Sequence, residues 1–256
     1  MSMKYTKIIL IVISLIWTSI NFYSVVTSPN VVNLTCFLGI VPIISSLYSE
    51  IDWIYINWNK LRAYLFLKTV SFAPKSSRYV EDNIKFSDLE SLVRSSLTAN
   101  NYMIEEAYVK RTEEDLYMRI LKDGLKSDLT VNFHKELDGE RLTLKIDYQL
   151  AYRDVNKFWK SFISVRNELF SQFAKTTNSK ERYDVTIQTT NEKNYNPFYR
   201  LTVKHVGRSE IKNFDLKFTD NNLTVTTKLN KIYGTSSNYQ DIERLIKEYV
   251  PLSRLM

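Results

Sequence analysis

Two runs without a single charged residue, 8–26 (IILIVISLIWTSINFYSVV) and 31–48 (VVNLTCFLGIVPIISSLY), constrain this chain more than any other feature. At about 1.5 Å per helical residue each run approaches the ~30 Å hydrocarbon core of a bilayer, where a helix satisfies its own backbone groups. The expectation is a pair of transmembrane helices joined by a turn of four uncharged residues, 27–30, that contains Pro29. A secretory signal peptide accounts poorly for the first run. Lys4 and Lys7 precede it in the right order, but no small-x-small cleavage site follows and a second apolar run comes at once.

Charge gives the hairpin an orientation. Lys4 and Lys7 flank the first run, Lys60, Arg62 and Lys68 follow the second, and the turn carries neither Lys nor Arg. The positive-inside bias then places both termini in the cytoplasm, as in a two-pass protein of a bacterial inner membrane. Trp53, Tyr55 and Trp58, with Ile51, Ile54, Leu61 and Leu65 at helical spacing, read as a juxtamembrane helix at headgroup level. Residues 1–62 are thus expected to form the membrane part and 63–256 a cytoplasmic domain. The lone Cys36 forms no internal disulfide and suits a reducing compartment; a small buried hydrophobe is its simplest role.

Ser14, Thr18 and Asn21 fall at i, i+4 and i+7, on one face of the first helix. Such a stripe joins helices through hydrogen bonds of about 0.6 to 2 kcal/mol each. It either packs the two helices of one chain together or forms a subunit contact, or the wet lining of a pore, in an assembly.

From Ala63 onward the chain turns polar and strand-rich. Ser87 and Glu90 form a capping box ahead of Leu89, Leu92, Val93 and Leu97. Asp154 can cap a longer helix whose Val155, Phe158, Phe162, Val165, Leu169 and Phe173 make a continuous stripe, and Ser237 with Gln240 opens a third helix. Between them apolar and polar residues alternate with period two, as in Leu129, Val131 and Phe133, or Leu142, Leu144, Ile146, Tyr148 and Leu150. Further strands are read at Tyr183 to Ile187, Tyr199 to Val203, Leu223 to Leu229 and one near Leu65 to Phe72. The expected fold is a two-helix transmembrane hairpin followed by an α+β domain of about nine mostly antiparallel strands and three helices. The sheet is expected to be strongly curved, or a partial barrel, closed around the helix from Asp154 to Ala174. Helix plus four strands occurs twice in this order, a weak sign of duplication.

Chemistry-bearing motifs are missing. His134 and His205 lie in strand patterns away from Cys36, so no zinc-ligand spacing exists; each reads best as an ordinary surface or core histidine. Five glycines, at 39, 124, 139, 207 and 234, form neither GxGxxG nor a P-loop, and the acidic residues Glu105, Glu106, Glu113, Glu114 and Asp115 lack calcium-loop spacing. No catalytic residue, metal site or cofactor is expected.

Of 35 Lys and Arg and 28 Asp and Glu, removal of Lys4, Lys7 and Glu50 leaves 33 basic and 27 acidic residues for the remainder, too small an excess to indicate nucleic acid. Their placement says more. Arg119, Arg141, Lys145, Arg200, Lys204, Lys217 and Lys228 occupy polar strand faces among Thr143, Thr202, Thr224 and Thr226. If that face is concave, Arg119, Lys145, Arg200, Lys204 and Lys228 line a cup for a phosphate-bearing ligand. Two plainer readings stand beside it: an ordinary solvated sheet face, or a surface that touches anionic lipid.

A short basic N-terminus, a tight apolar hairpin, an aromatic juxtamembrane segment and a strand-rich domain without catalytic motifs resemble the bacterial two-transmembrane, β-strand-rich anti-phage effectors. These include the CBASS transmembrane β-barrel effectors and the two-transmembrane effectors of retrons. The resemblance lies in layout over the whole chain and carries no ligand residue to a position here. It implies an abortive-infection effector that senses a nucleotide, such as a cyclic oligonucleotide, or a nucleoprotein complex of reverse transcriptase with RNA and DNA. Its hairpins would assemble as a homo-oligomer and disrupt the lipid bilayer. The competing expectations are a membrane-tethered scaffold that recruits a protein or nucleic acid, and an enzyme using carboxylates from distant strands.

Overall fold

The computed structural model of the protein describes residues 69–80, 86–136, 139–173, 181–189, 214–228 and 230–248, together with positions 13, 16–20, 23, 27, 58 and 61. The chain divides into two units, Met1–Trp58 and Asn59–Met256.

In the first unit Ile13, residues 16–20, Tyr23 and Thr27 are helical, and the Thr27 hydroxyl donates to the carbonyl of Tyr23 at 2.9 Å. Among the described residues no helix is long and apolar enough to cross a membrane. The expected fold class, with its transmembrane hairpin, is corrected on this point; run 31–48 lies outside the described residues. The described helical positions there, 13, 16–20, 23 and 27, make no unbroken run of spanning length. Ile13, Ile16, Trp17, Ile20 and Tyr23 recur at helical spacing on one side, whereas Ser14, Thr18 and Asn21 fall together on another.

Among its described residues the second unit has nine strands. They are β1 (Val70–Val80), β2 (Met103–Arg111), β3 (Asp115–Lys122), β4 (Leu125–Glu136), β5 (Gly139–Leu150), β6 (Arg182–Thr189), β7 (Asp215–Asp220), β8 (Leu223–Lys228) and β9 (Lys231–Ser236). They form one sheet in the order β2-β3-β4-β5-β1-β6-β9-β8-β7, and every neighbouring pair is antiparallel. Among the described residues β2 and β7 do not pair with each other, so the sheet is open at both edges. The strand expected at Tyr199 to Val203 lies outside the described residues.

The central strand differs from its sequence reading. Instead of ending near Phe72, β1 runs from Val70 through Pro74 to Val80. A proline cannot donate to a ladder and is unusual in a central strand. Here β1 keeps its register with β5 on both sides of Pro74, from Phe72 opposite Tyr148 to Lys75 opposite Lys145.

Among the described residues three α-helices accompany the sheet: α1 (Phe86–Ala99), α2 (Val155–Ser171) and α3 (Tyr239–Glu248). α2 packs on β1 and β5 and touches both other helices, α1 packs on β2, and α3 on β6 and β9. Alternation explains the core between them. Leu116, Met118 and Ile120 of β3, Leu129 and Val131 of β4, and Leu142, Leu144, Ile146 and Tyr148 of β5 are buried beneath Phe158, Trp159, Phe162 and Val165 of α2. Gly234 lets α3 approach β9, because a Cβ there would run into Leu245. The Asp123-Gly124 turn between β3 and β4 has φ of 51° and 76°, the left-handed pair of a tight hairpin.

The helix caps differ from expectation. Asp154 holds the N-cap position of α2 but makes no side-chain cap bond. Glu90 binds Arg94 and Arg111. Asn238, rather than Ser237, caps α3 through Oδ1, which accepts from the Gln240 amide at 3.0 Å.

Candidate functional site

The sheet has a face covered by helices and a face that carries its polar residues. Of the expected ligand residues, Arg119, Lys145 and Lys228 lie on the polar face, on β3, β5 and β8. Arg200 and Lys204 lie outside the described residues. At ~4.8 Å per strand, Arg119 and Lys145 are about 10 Å apart across the sheet and Lys145 and Lys228 about 19 Å, so one small ligand does not span the three.

The cations of this face are also matched by carboxylates. Arg119 Nε donates to Asp128 at 3.1 Å, Lys145 Nζ to Asp147 at 2.7 Å, Arg141 to Glu136 at 3.2 Å and Arg182 to Asp184 at 3.0 Å. Asp128 stands opposite Asp147, and Lys75 stands between Lys145 on one side and Asp184 on the other, so like charges meet directly across two strand pairs, while Lys145 and Arg182 pair with carboxylates two residues along their own strands. The hydrogen bond to Asp128 holds the Arg119 guanidinium above its usual range, and the arginine stacks 4.2 Å over the Tyr108 ring. His134 also faces this side, with Nδ1 2.5 Å from Glu114. Of the three residues expected in membrane assembly, Thr18 is half-buried on its helix, while Ser14 and Asn21 lie outside the described residues.

A different cation stands out at the end of β3. The phase that buries Leu116, Met118 and Ile120 brings Lys122 to the helix-covered side, next to the turn that ends α1. Its Nζ donates to the Asn100 carbonyl at 2.9 Å and to Ser161 Oγ of α2 at 2.5 Å, and lies 4.5 Å from the centre of the Tyr102 ring. Among the described residues no carboxylate forms an ion pair with it. Burial pushes the Lys122 ammonium below its ordinary range; Asp123 opposes this and Lys157 adds to it. The Tyr102 hydroxyl is 3.0 Å from Ser161 Oγ and 2.9 Å from the Tyr148 hydroxyl. Burial raises both phenols above their usual range, so both stay protonated.

This network borders a cleft of about 320 Å³ lined by Asn100, Asn101, Lys122, Lys157, Lys160 and Ser161, among others. Asn101 takes the left-handed φ of 60° that turns the chain from α1 into β2. Lys157 reaches across the mouth to Asp123 at 2.9 Å, an ion pair that raises the lysine and lowers the carboxyl. With three lysines against one aspartate, hydroxyls and amides, the cleft is suited to an anion with several oxygen acceptors.

Two signals pointed here and sequence reasoning missed both. Lys122 occupies an inward phase of its strand, and Lys157, Lys160, Ser161 and Ser164 follow i, i+3, i+4, i+7 along α2, beside its apolar stripe. Among the described residues no group of His, Cys, Asp and Glu could hold a metal ion.

No protein-family model and no curated protein matches the chain. Among solved structures it is similar to a chain in the crystal structure of the Csm3-Csm4 subcomplex of a type III-A CRISPR-Cas interference complex. That similarity has 10% identity and a TM-score of 0.30, and covers 72% of this chain and 100% of the other.

Proposed function

We propose that the sheet unit binds a small phosphate-bearing ligand, of the size of a nucleotide, and that the N-terminal helix holds the protein against a lipid surface. One observation carries the first half: Lys122 is half-buried, bonded to a hydroxyl and a carbonyl instead of a carboxylate, and borders a cleft with Lys157 and Lys160. A multiply charged oxyanion supplies the acceptors that this set of donors lacks. The second half rests on Ile13, Ile16, Trp17, Ile20 and Tyr23, each 57% exposed or more along one helix face, with Lys4 and Lys7 ahead of them. Such a helix lies in the interface with its apolar face among acyl chains, and its lysines meet anionic headgroups.

In the anti-phage role that the resemblance carries, the ligand is the trigger and its effect is to gather N-terminal helices and disturb the inner membrane. That requires tighter binding to the assembled state than to the monomer.

Calorimetric titration of the full-length protein with pyrophosphate and with nucleotides tests the cleft. Exchange of Lys122 and Lys160 for Met is expected to weaken binding by about tenfold or more, about 1.4 kcal/mol. Exchange of Arg119 and Lys145 for Ala is expected to leave it unchanged. The reverse pattern overturns the cleft in favour of the polar sheet face. For the helix, sedimentation with anionic vesicles is expected to capture the protein, and Trp17→Ser with Ile20→Ser to release it.

A further inference from the structure

The same cleft holds a feature that anion binding does not require. A lysine that caps a helix end ordinarily stays solvated, whereas Lys122 is packed over the Tyr102 ring with its Nζ against Ser161 Oγ. The hydroxyls of Ser161, Tyr102 and Tyr148 follow one another from that nitrogen at 2.5, 3.0 and 2.9 Å. An amine next to a chain of hydroxyls, in a cleft rimmed by cations, has the parts needed to attack a carbonyl and to pass protons as it does so.

We propose that Lys122 forms a Schiff base with an aldehyde or ketone that carries a phosphate, the phosphate resting on Lys157 and Lys160. This rests on the reading of the cleft as an anion site and adds a covalent step to it. The neutral Nζ attacks the carbonyl carbon and a C–N bond forms while the carbonyl oxygen takes a proton. Loss of that oxygen as water then leaves C=N, the two hydrogens of the amine leaving with it. No electrons are gained or lost, so no oxidant or reductant is needed. Ser161 Oγ, in contact with Nζ and with the Tyr102 hydroxyl, is placed to carry the proton from nitrogen to the departing oxygen.

The charged and titratable groups that bear on Lys122 are few. Burial favours the neutral amine, Lys157 favours it further, and Asp123 works against it. Asp123 is itself engaged by Lys157. The phenols of Tyr102 and Tyr148 remain protonated and act as donors.

Pyridoxal 5′-phosphate, an aldehyde with a phosphate, is the probe. The full-length protein is incubated with it at neutral pH, reduced with borohydride and mapped by peptide mass spectrometry. The adduct is expected on Lys122 ahead of the exposed Lys157 and Lys160. Pyrophosphate is expected to suppress it, and pyridoxal without the phosphate to label about tenfold less. An unmodified Lys122, with adducts on Lys157, Lys160 or scattered surface lysines, overturns the proposal. Pyrophosphate titration of the same sample separates the two readings: pyrophosphate binding with Lys122 unlabelled overturns the Schiff base alone, and no binding with no label overturns both.

Discussion

The two faces of the sheet use the same residue types in different ways. On the polar face Arg119, Arg141, Lys145 and Arg182 meet carboxylates of their own or neighbouring strands. On the covered face Lys122 and Arg78 meet backbone carbonyls where helices end. Lys122 binds the carbonyl of Asn100 just past α1, and Arg78 binds those of Phe170 and Phe173 at the end of α2, at 2.5 and 3.0 Å. The last carbonyls of a helix have no partner within it and carry the negative end of its dipole, so a cation there is stabilised without a full counter-charge. Arg78 has Glu181 as well, at 3.8 Å, whereas Lys122 has no carboxylate ion pair among the described residues and is held by a carbonyl and a hydroxyl alone.

Breaking the covered side at Arg78 is expected to have the largest effect. Arg78 and Arg166 are both buried, flank the Phe170 ring and share Glu181, with Arg166 at 2.9 Å and Arg78 at 3.8 Å. Burial lowers the Arg78 guanidinium, and the neighbouring Arg166 lowers it further. Arg78→Met leaves two helix-end carbonyls and part of Glu181 without their donor in a closed site. The expected loss is roughly 3 to 5 kcal/mol, a large share of a domain's stability, read as a fall in the urea midpoint. An unchanged midpoint would show that the end of α2 does not depend on this cap.

Most of the sheet could be read from its alternation. Leu142 to Leu150 and Leu129 to Phe133 lie in β5 and β4 with the apolar phase inward, and the stripe from Val155 to Leu169 is the buried face of α2. What period two could not supply was strand order. β1 is first in the chain yet lies between β5 and β6, and nothing local reports a pairing over that distance. The candidate site was hidden for a related reason. Attention to polar strand faces led to Arg119 and Lys145, whose carboxylate partners sit two residues along or on the next strand. Lys122 instead follows an apolar phase, where a lysine is easily read as a strand end.

A smaller effect is expected at Glu90, the carboxylate that ties α1 to β2. It is nearly buried, and it accepts from Arg94 Nε at 2.7 Å and from the Arg111 guanidinium at 2.6 Å. Burial alone would raise its carboxyl, but the bonds from the two arginines outweigh this and hold it below the ordinary range. A depressed carboxyl contributes stability above its unfolded pKa of about 4.3 and loses it as the pH falls through the lower folded value. The Glu90→Gln protein is therefore expected to be less stable at neutral pH and to close part of that gap on acidification below pH 4. Urea midpoints over pH 2 to 7 for both proteins check this. Parallel curves would mean that the arginines leave the titration of Glu90 untouched in the folded state.

The smallest effect sharpens the comparison from the polar side. Arg119 has a carboxylate, an aromatic ring and solvent around it, so its removal exposes nothing that water cannot reach. An exposed pair gains little, because screening and the ordering of two side chains offset the attraction. Arg119→Ala and Asp128→Ala, alone and combined, are each expected to leave the urea midpoint nearly where it is. The double substitution should equal the sum of the single ones within error. Coupling between them well outside that error would show that the polar face is organised as a network, and that its cations, too, are held for a purpose beyond solvation.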